Sequence, residues 1–132
     1  MRCFRMLPLL LVLGCLAGCA GSQSGGTIKG TVTLDDQPLK EGRVRFEPVD
    51  GLSTTTEVDI TDGTFTTVVP LGEMRVQFFA PKHTGRYTRM YPDAPAHEVI
   101  DELIPDHSNT NTKWRIKVEN GTQEKSFSLT SQ

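Results

Sequence analysis

The chain has 132 residues, 36% of them hydrophobic, with 14 basic and 16 acidic side chains and a net charge of −2. That is enough for one small domain with a modest core and too little for two. The acidic balance excludes the basic face that nucleic-acid binding requires, and it offers no polybasic attraction to an anionic membrane.

The first element is a leader. Arg2 and Arg5 precede an apolar run from Met6 to Leu16. A basic start, a short apolar core and small residues before a cut site are the parts of a secretory signal, and the run is too short to span a bilayer as a helix. It ends Leu16-Ala17-Gly18-Cys19, which resembles the lipobox of bacterial lipoproteins. The resemblance implies a signal peptide over residues 1–18, lipidation of Cys19 as the first mature residue, and anchorage to a membrane of the cell envelope, outside the cytoplasm. One acyl chain holds only marginally at about 0.8 kcal/mol per buried methylene, but lipoproteins of this class carry two or three. Ala20 rather than an aspartate follows the cysteine, which by the usual sorting rule favours the outer membrane of a two-membrane cell. The competing readings are a plain signal peptide with an incidental cysteine, and a cut before Cys15, which sets bulky Val12 and Leu13 in the motif.

The remaining cysteines, Cys3 and Cys15, lie in the leader, so the mature domain has no disulfide, thiolate nucleophile or cysteine metal ligand. Residues 19–26 read as the lipidated cysteine and a flexible Gly/Ser tether. The domain proper is expected over 27–132.

Within it the pattern is all-β. Ile28, Val32 and Leu34 alternate with Lys29, Thr31 and Thr33, the period of a half-buried strand. A turn cluster, Asp35-Asp36-Gln37-Pro38, follows. Val44 and Phe46 mark a second strand, and Thr54, Thr56, Val58 and Ile60 a third. Thr61-Asp62-Gly63 signals a tight hairpin, and Phe65 and Thr67 lie on a fourth strand that runs to Pro70. Met74, Val76 and Phe78 share one face of a fifth. Trp114, Ile116 and Val118 alternate with Arg115 and Lys117, Asn120-Gly121 is a strong turn signal, and Phe127 and Leu129 lie on the last strand. The nearest approach to a helical pattern is Ala96 to Leu103, enough for one or two turns. About seven short strands with regular turn signals predict a Greek-key β-sandwich, with Trp114 and the phenylalanines in its core.

The run Ile28 to Leu39, followed by Gly42-Arg43-Val44-Arg45-Phe46, resembles the opening of carboxypeptidase regulatory-like domains. Thr61-Asp62-Gly63-Thr64-Phe65 is similar to a later step of that family, though shorter. Pro70-Leu71-Gly72-Glu73-Met74-Arg75-Val76 is similar to another, with Met74 in the usual tyrosine place. Leu103-Ile104-Pro105 and Trp114 to Leu129 resemble the closing part of short secreted lipoproteins built on this domain. The resemblance covers about residues 27–129 and implies a transthyretin-like sandwich that acts as an accessory or interaction module without catalysis. It does not extend to transthyretin-like hydrolases, whose C-terminal tail and N-terminal histidine are missing.

Residues 80–112 are the least strand-like stretch and read as a long loop, the kind of segment that carries function in a compact domain. It holds Tyr87, Met90 and Tyr91, the candidate partner-binding residues; the alternative is that they cap the open end of the sandwich. His83, His97 and His107, with Asp101 and Asp106, lack the spacing of a metal site, and the paired histidines of ring-cleaving dioxygenases are missing. His107-Ser108 has no nucleophile-elbow sequence around it and reads as solvated loop. Asp35, Asp36, Asp59 and Asp62 are turn residues rather than a calcium loop, and Asn120-Gly121-Thr122 is a turn rather than a glycosylation site. The sequence therefore predicts a non-enzymatic, lipid-anchored module with no cofactor and no metal. It would bind an envelope protein or polysaccharide through sheet edges or the 80–112 segment. The alternatives are a carbohydrate-binding module stacking sugars on Tyr87, Tyr91 or Trp114, and a small metal-dependent envelope enzyme using the loop histidines.

Overall fold

The computed structural model describes residues 24–131. The expected signal peptide, Cys19 and the tether as far as residue 23 lie outside the described residues. Among the described residues the strands are β1 (Gly25–Leu34), β2 (Gln37–Pro38), β3 (Glu41–Pro48), β4 (Thr56–Thr61), β5 (Thr64–Pro70), β6 (Gly72–Phe79), β7 (Pro81–Thr88), β8 (His97–Glu102), β9 (Arg115–Val118) and β10 (Thr122–Leu129), with a 3-10 turn at Asp106–Ser108. Eight of them make one sheet in the order β10-β1-β5-β4-β3-β6-β9, with β2 attached to β1. All its ladders are antiparallel except β1–β10, which runs parallel from Thr27↔Thr122 to Leu34↔Leu129.

The sheet curls because it is nearly cut in the middle. β4 and β5 are paired only at Thr61↔Thr64, around a turn in which Asp62 and Gly63 both have positive φ, 51° and 76°. That geometry suits a two-residue hairpin. Past the turn the two halves, β10-β1-β5 and β4-β3-β6-β9, turn their apolar faces toward each other. Phe65 of β5 lies 5.9 Å from Phe46 of β3, and Phe127 of β10 lies 5.0 Å from Phe78 of β6, centroid to centroid. Ile28, Val32, Val44, Val69, Met74 and Val76 fill the space between and are fully buried. Trp114 sits just before β9, half-buried, with its ring edge-on to Phe78 and Phe127.

The alternation read from the sequence thus builds an all-β fold, with three differences. First, the expected tether gives up Gly25 and Gly26 to β1, paired with Pro70 and Val69. These glycines serve close approach rather than flexibility: a Cβ on Gly26 would collide with the carbonyl oxygen of Glu119 and with Val118. Second, the described residues form ten strands rather than about seven, because the segment read as a long loop contains β7 and β8 as a separate two-stranded sheet and because Gln37–Pro38 of the expected turn cluster pairs with β1 as β2. Third, the stretch Ala96 to Leu103, read as at most a helical turn or two, is largely strand β8. Both faces of the β7–β8 hairpin are largely exposed, so it has no buried face to imprint an alternation on its sequence.

The two ends of the domain are distinct. The chain enters at Gly25, beside Pro70 and the β9–β10 turn, where Thr27 N–H donates to Gly121 O at 2.8 Å. β3 reaches Pro48, opposite Met74, at this same end. Glu41, Thr61 and Phe79 lie at the opposite end, and it is from there that β7 departs.

Candidate functional site

The β7–β8 hairpin is fixed at its base. The carboxylate of Glu102 accepts the N–H of Ala80 at 2.8 Å and of Ile104 at 2.9 Å through one oxygen, and Leu103 N–H donates to Ala80 O at 2.9 Å. The fully buried Ile104 side chain anchors the return strand in the core. Beyond the base, Thr84 Oγ1 donates to Val99 O at 2.6 Å and Arg86 faces Asp101 at 3.4 Å. The register slips between His83 and Tyr87, and Gly85 takes a φ of 68° there, the signature of a bulge that re-aims the strand.

His83 sits at this bulge between two carboxylates. Its Nδ1 is 3.0 Å from Glu98 Oε2 on the facing strand, and its Nε2 is 3.8 Å from Glu41 Oε2 on β3. The other Glu98 oxygen accepts Gly85 N–H at 3.0 Å. The hydrogen bond to Glu98 and then its negative charge raise the His83 pKa, with Glu41 adding to the effect. The bond from His83, then that from the Gly85 amide, lower the Glu98 pKa. The His83–Glu98 contact thus ties the hairpin strands together, and Glu41 reaches it from the main sheet.

Between the hairpin base and the end of the main sheet lies an open cleft of about 800 Å³. Lys40, Arg43 and Asp59 line its sheet side; Phe79 forms part of its floor, and Ile100 and Asp101 its hairpin side. The sheet face beside it carries cross-strand pairs in register, Arg43 opposite Asp59 and Arg45 opposite Glu57, and the Arg45 guanidinium lies over the Phe79 ring at 5.0 Å. Exposed ion pairs of this kind are worth only about 0–1 kcal/mol each. Their structural contribution is to tie β3 to β4 in register across the exposed face of the sheet.

Tyr87, Met90 and Tyr91 stand at the far tip of the hairpin, 69%, 73% and 68% exposed. They do not cap the open end of the curled sheet, the alternative the sequence allowed. The tip is ordered by a turn in which Ala94 N–H donates to Tyr91 O at 3.0 Å. The structure does not bring the three histidines together. His83 pairs in register with Ile100 and His97 with Thr88, at separate levels of the hairpin, and His107 is on the 3-10 turn. Among the described residues no group of three or more histidine, cysteine, aspartate or glutamate side chains is placed to hold a metal ion. Ser108, read as part of a solvated loop, is buried, and its N–H donates to Pro105 O. Asp35, Asp36 and Asp62 all adopt positive φ in turns, whereas Asp59, also read as a turn residue, lies on β4 opposite Arg43; Asp35 receives the N–H and hydroxyl of Ser131.

No family model matches this chain, and no curated protein matches it. The His83–Glu98–Glu41 cluster and the cleft were not visible in the sequence. Glu98 lies 15 residues beyond His83, a spacing that acquires meaning only once the hairpin register is known.

Proposed function

We propose that the protein is a lipid-anchored, non-catalytic binding module of the cell envelope, held by Cys19 in the outer membrane of a two-membrane cell. Its curled sheet is read as a Greek-key β-sandwich of the transthyretin-like, carboxypeptidase regulatory-like type. Three features support the fold reading: the facing halves of the sheet, the position of the Ile28 to Leu39 motif on β1 and β2, and the position of Gly42 to Phe46 on β3. The observation that carries the functional reading is the hairpin. It projects from the end opposite the chain's entry and presents Tyr87, Met90 and Tyr91 to solvent. Large, flat, rotamer-poor aromatic rings next to a pliable methionine form a contact surface that orders at low entropic cost.

The partner is an envelope protein or a polysaccharide. The second class is favoured by the free ring faces of Tyr87 and Tyr91, whereas Trp114 is packed against the core and does not serve. The test is crosslinking of the lipidated protein in native envelopes beside a Tyr87→Ala/Met90→Ala/Tyr91→Ala variant, with glycan arrays run in parallel. A protein captured by the wild type and lost in the variant supports the first class, and array binding lost in the variant supports the second. Equal capture by both proteins removes the hairpin tip as the site.

A further inference from the structure

The end at which the chain enters carries its own exposed apolar group. Leu52 is 87% exposed at the tip of the β3–β4 connection, Val68 is 60% exposed on β5, and Val49 is 45% exposed. Single exposed apolar side chains are ordinary; these are grouped. Leu52, Pro70 and Leu71 border one shallow hollow and Val68 and Pro70 another, and both hollows are also bordered by Ser24. The connection that presents Leu52 is held in shape: Leu52 N–H donates to Asp50 Oδ1 at 2.9 Å, Gly51 N–H to Pro48 O at 3.3 Å, and Val49 N–H to Glu73 O at 3.1 Å.

The position of this group matters because of what precedes Ser24. Five peptide links separate Cys19 from Ser24, and a fully extended chain of that length spans at most about 18 Å. A lipid on Cys19 therefore keeps the Leu52–Val68 end within reach of the headgroups. The charges near this end include Asp50, Glu73 and the pairs Glu47–Arg75 and Lys117–Glu119, with Arg115 opposite Arg75, so basic groups alternate with acidic ones. The surface suits an apolar contact with neutral lipid and not electrostatic capture by anionic lipid.

We propose that this end of the domain rests on the bilayer, with Leu52 and Val68 seated among the headgroups of zwitterionic lipid, so that the hairpin tip faces away from the membrane. The inference rests on the lipid-anchor reading of Cys19. The contact fixes the orientation of the domain on the membrane, and it leaves the candidate binding residues available to a partner.

The experiment uses the lipidated protein purified from membranes, with its N-terminal mass measured, reconstituted in phosphatidylcholine vesicles and followed by hydrogen exchange. The expected result is severalfold slower exchange of amides in 49–55 and 67–71 than in a Leu52→Asp/Val68→Asp variant on the same vesicles, with the β1 and β6 amides unchanged between the two. A Leu52→Trp variant supplies an independent readout, since its emission should shift to the blue on vesicles while that of Thr88→Trp at the hairpin does not. A lipid-bearing protein with no protection at these segments and no shift at position 52 overturns the contact and leaves the anchor standing. A mature protein with no lipid on Cys19 overturns the anchor and, with it, the contact.

Discussion

The rings of Phe78 and Phe127 pack with centroids 5.0 Å apart, although their strands, β6 and β10, are not neighbours in the sheet. Phe127 also stacks with Phe65 at 6.5 Å and meets Trp114 edge-on at 5.5 Å. One side chain thus touches aromatic rings from both halves of the curl. Phe127→Ala should cost about 3–5 kcal/mol by urea unfolding, as for other buried phenylalanines cut to alanine. A cost under about 1 kcal/mol, the range of a side chain outside the core, would mean that the two halves do not press together there.

Gly30 lies under the ring of Phe65, and a Cβ added at that position would run into the ring. Phe65 has little room to yield, being wedged between Phe46 and Phe127. Gly30→Ala should therefore destabilise by about 1–3 kcal/mol through overpacking, even though alanine is stiffer than glycine in the unfolded chain. Phe65→Leu in the same chain should recover part of the loss. In a double-mutant cycle, additive effects would show that ring and glycine are not coupled.

The legible parts of this fold were those with one buried and one exposed face. β1, β3 and β6 announce themselves because Ile28 and Val32, Val44 and Phe46, and Met74 and Val76 share one face of their strands and are all buried. The β7–β8 hairpin was hidden for the opposite reason: with little of either face buried, nothing selects an alternation. The place of Gly25 and Gly26 in β1 is hidden because composition cannot separate a glycine used for freedom from one used for close approach. The parallel pairing of β1 with β10 joins segments nearly a hundred residues apart and leaves no local mark. Tyr87, Met90 and Tyr91 stood out by residue type alone, but their place at a projecting tip depends on the hairpin. The cleft depends on how that hairpin leaves Phe79 beside β3, which no single segment encodes.

The His83–Glu98 contact predicts a pH window. His83 is raised from its ordinary value of 6.5, so its contribution is fully present below that value and is lost as the pH rises through the higher folded-state value. Glu98 is lowered from 4.5, so its contribution is present above that value and is lost as the pH falls through the lower one. The hairpin contact is strongest between these two limits. An NMR titration should show the His83 ring titrating above its ordinary value, with the Gly85 amide responding in parallel because it donates to the same carboxylate. Glu98→Gln should return His83 most of the way, and Glu41→Gln less. A His83 that titrates at or below its ordinary value would contradict the contact.

The hairpin tip should separate stability from recognition. Tyr87, Met90 and Tyr91 are each more than two-thirds exposed, and exposed substitutions away from caps and networks usually stay within about 0.5 kcal/mol of neutral. The triple alanine variant should therefore unfold at nearly the wild-type urea midpoint, with an unchanged denaturant slope. Its Trp114 emission should also match the wild type, since that ring packs on Phe78 and Phe127 at the other side of the hairpin base. A loss of partner or glycan binding with both readouts preserved places the tip in recognition. A drop of more than about 1 kcal/mol would show that the three side chains support the fold, and any loss of binding would then have to be read through stability first.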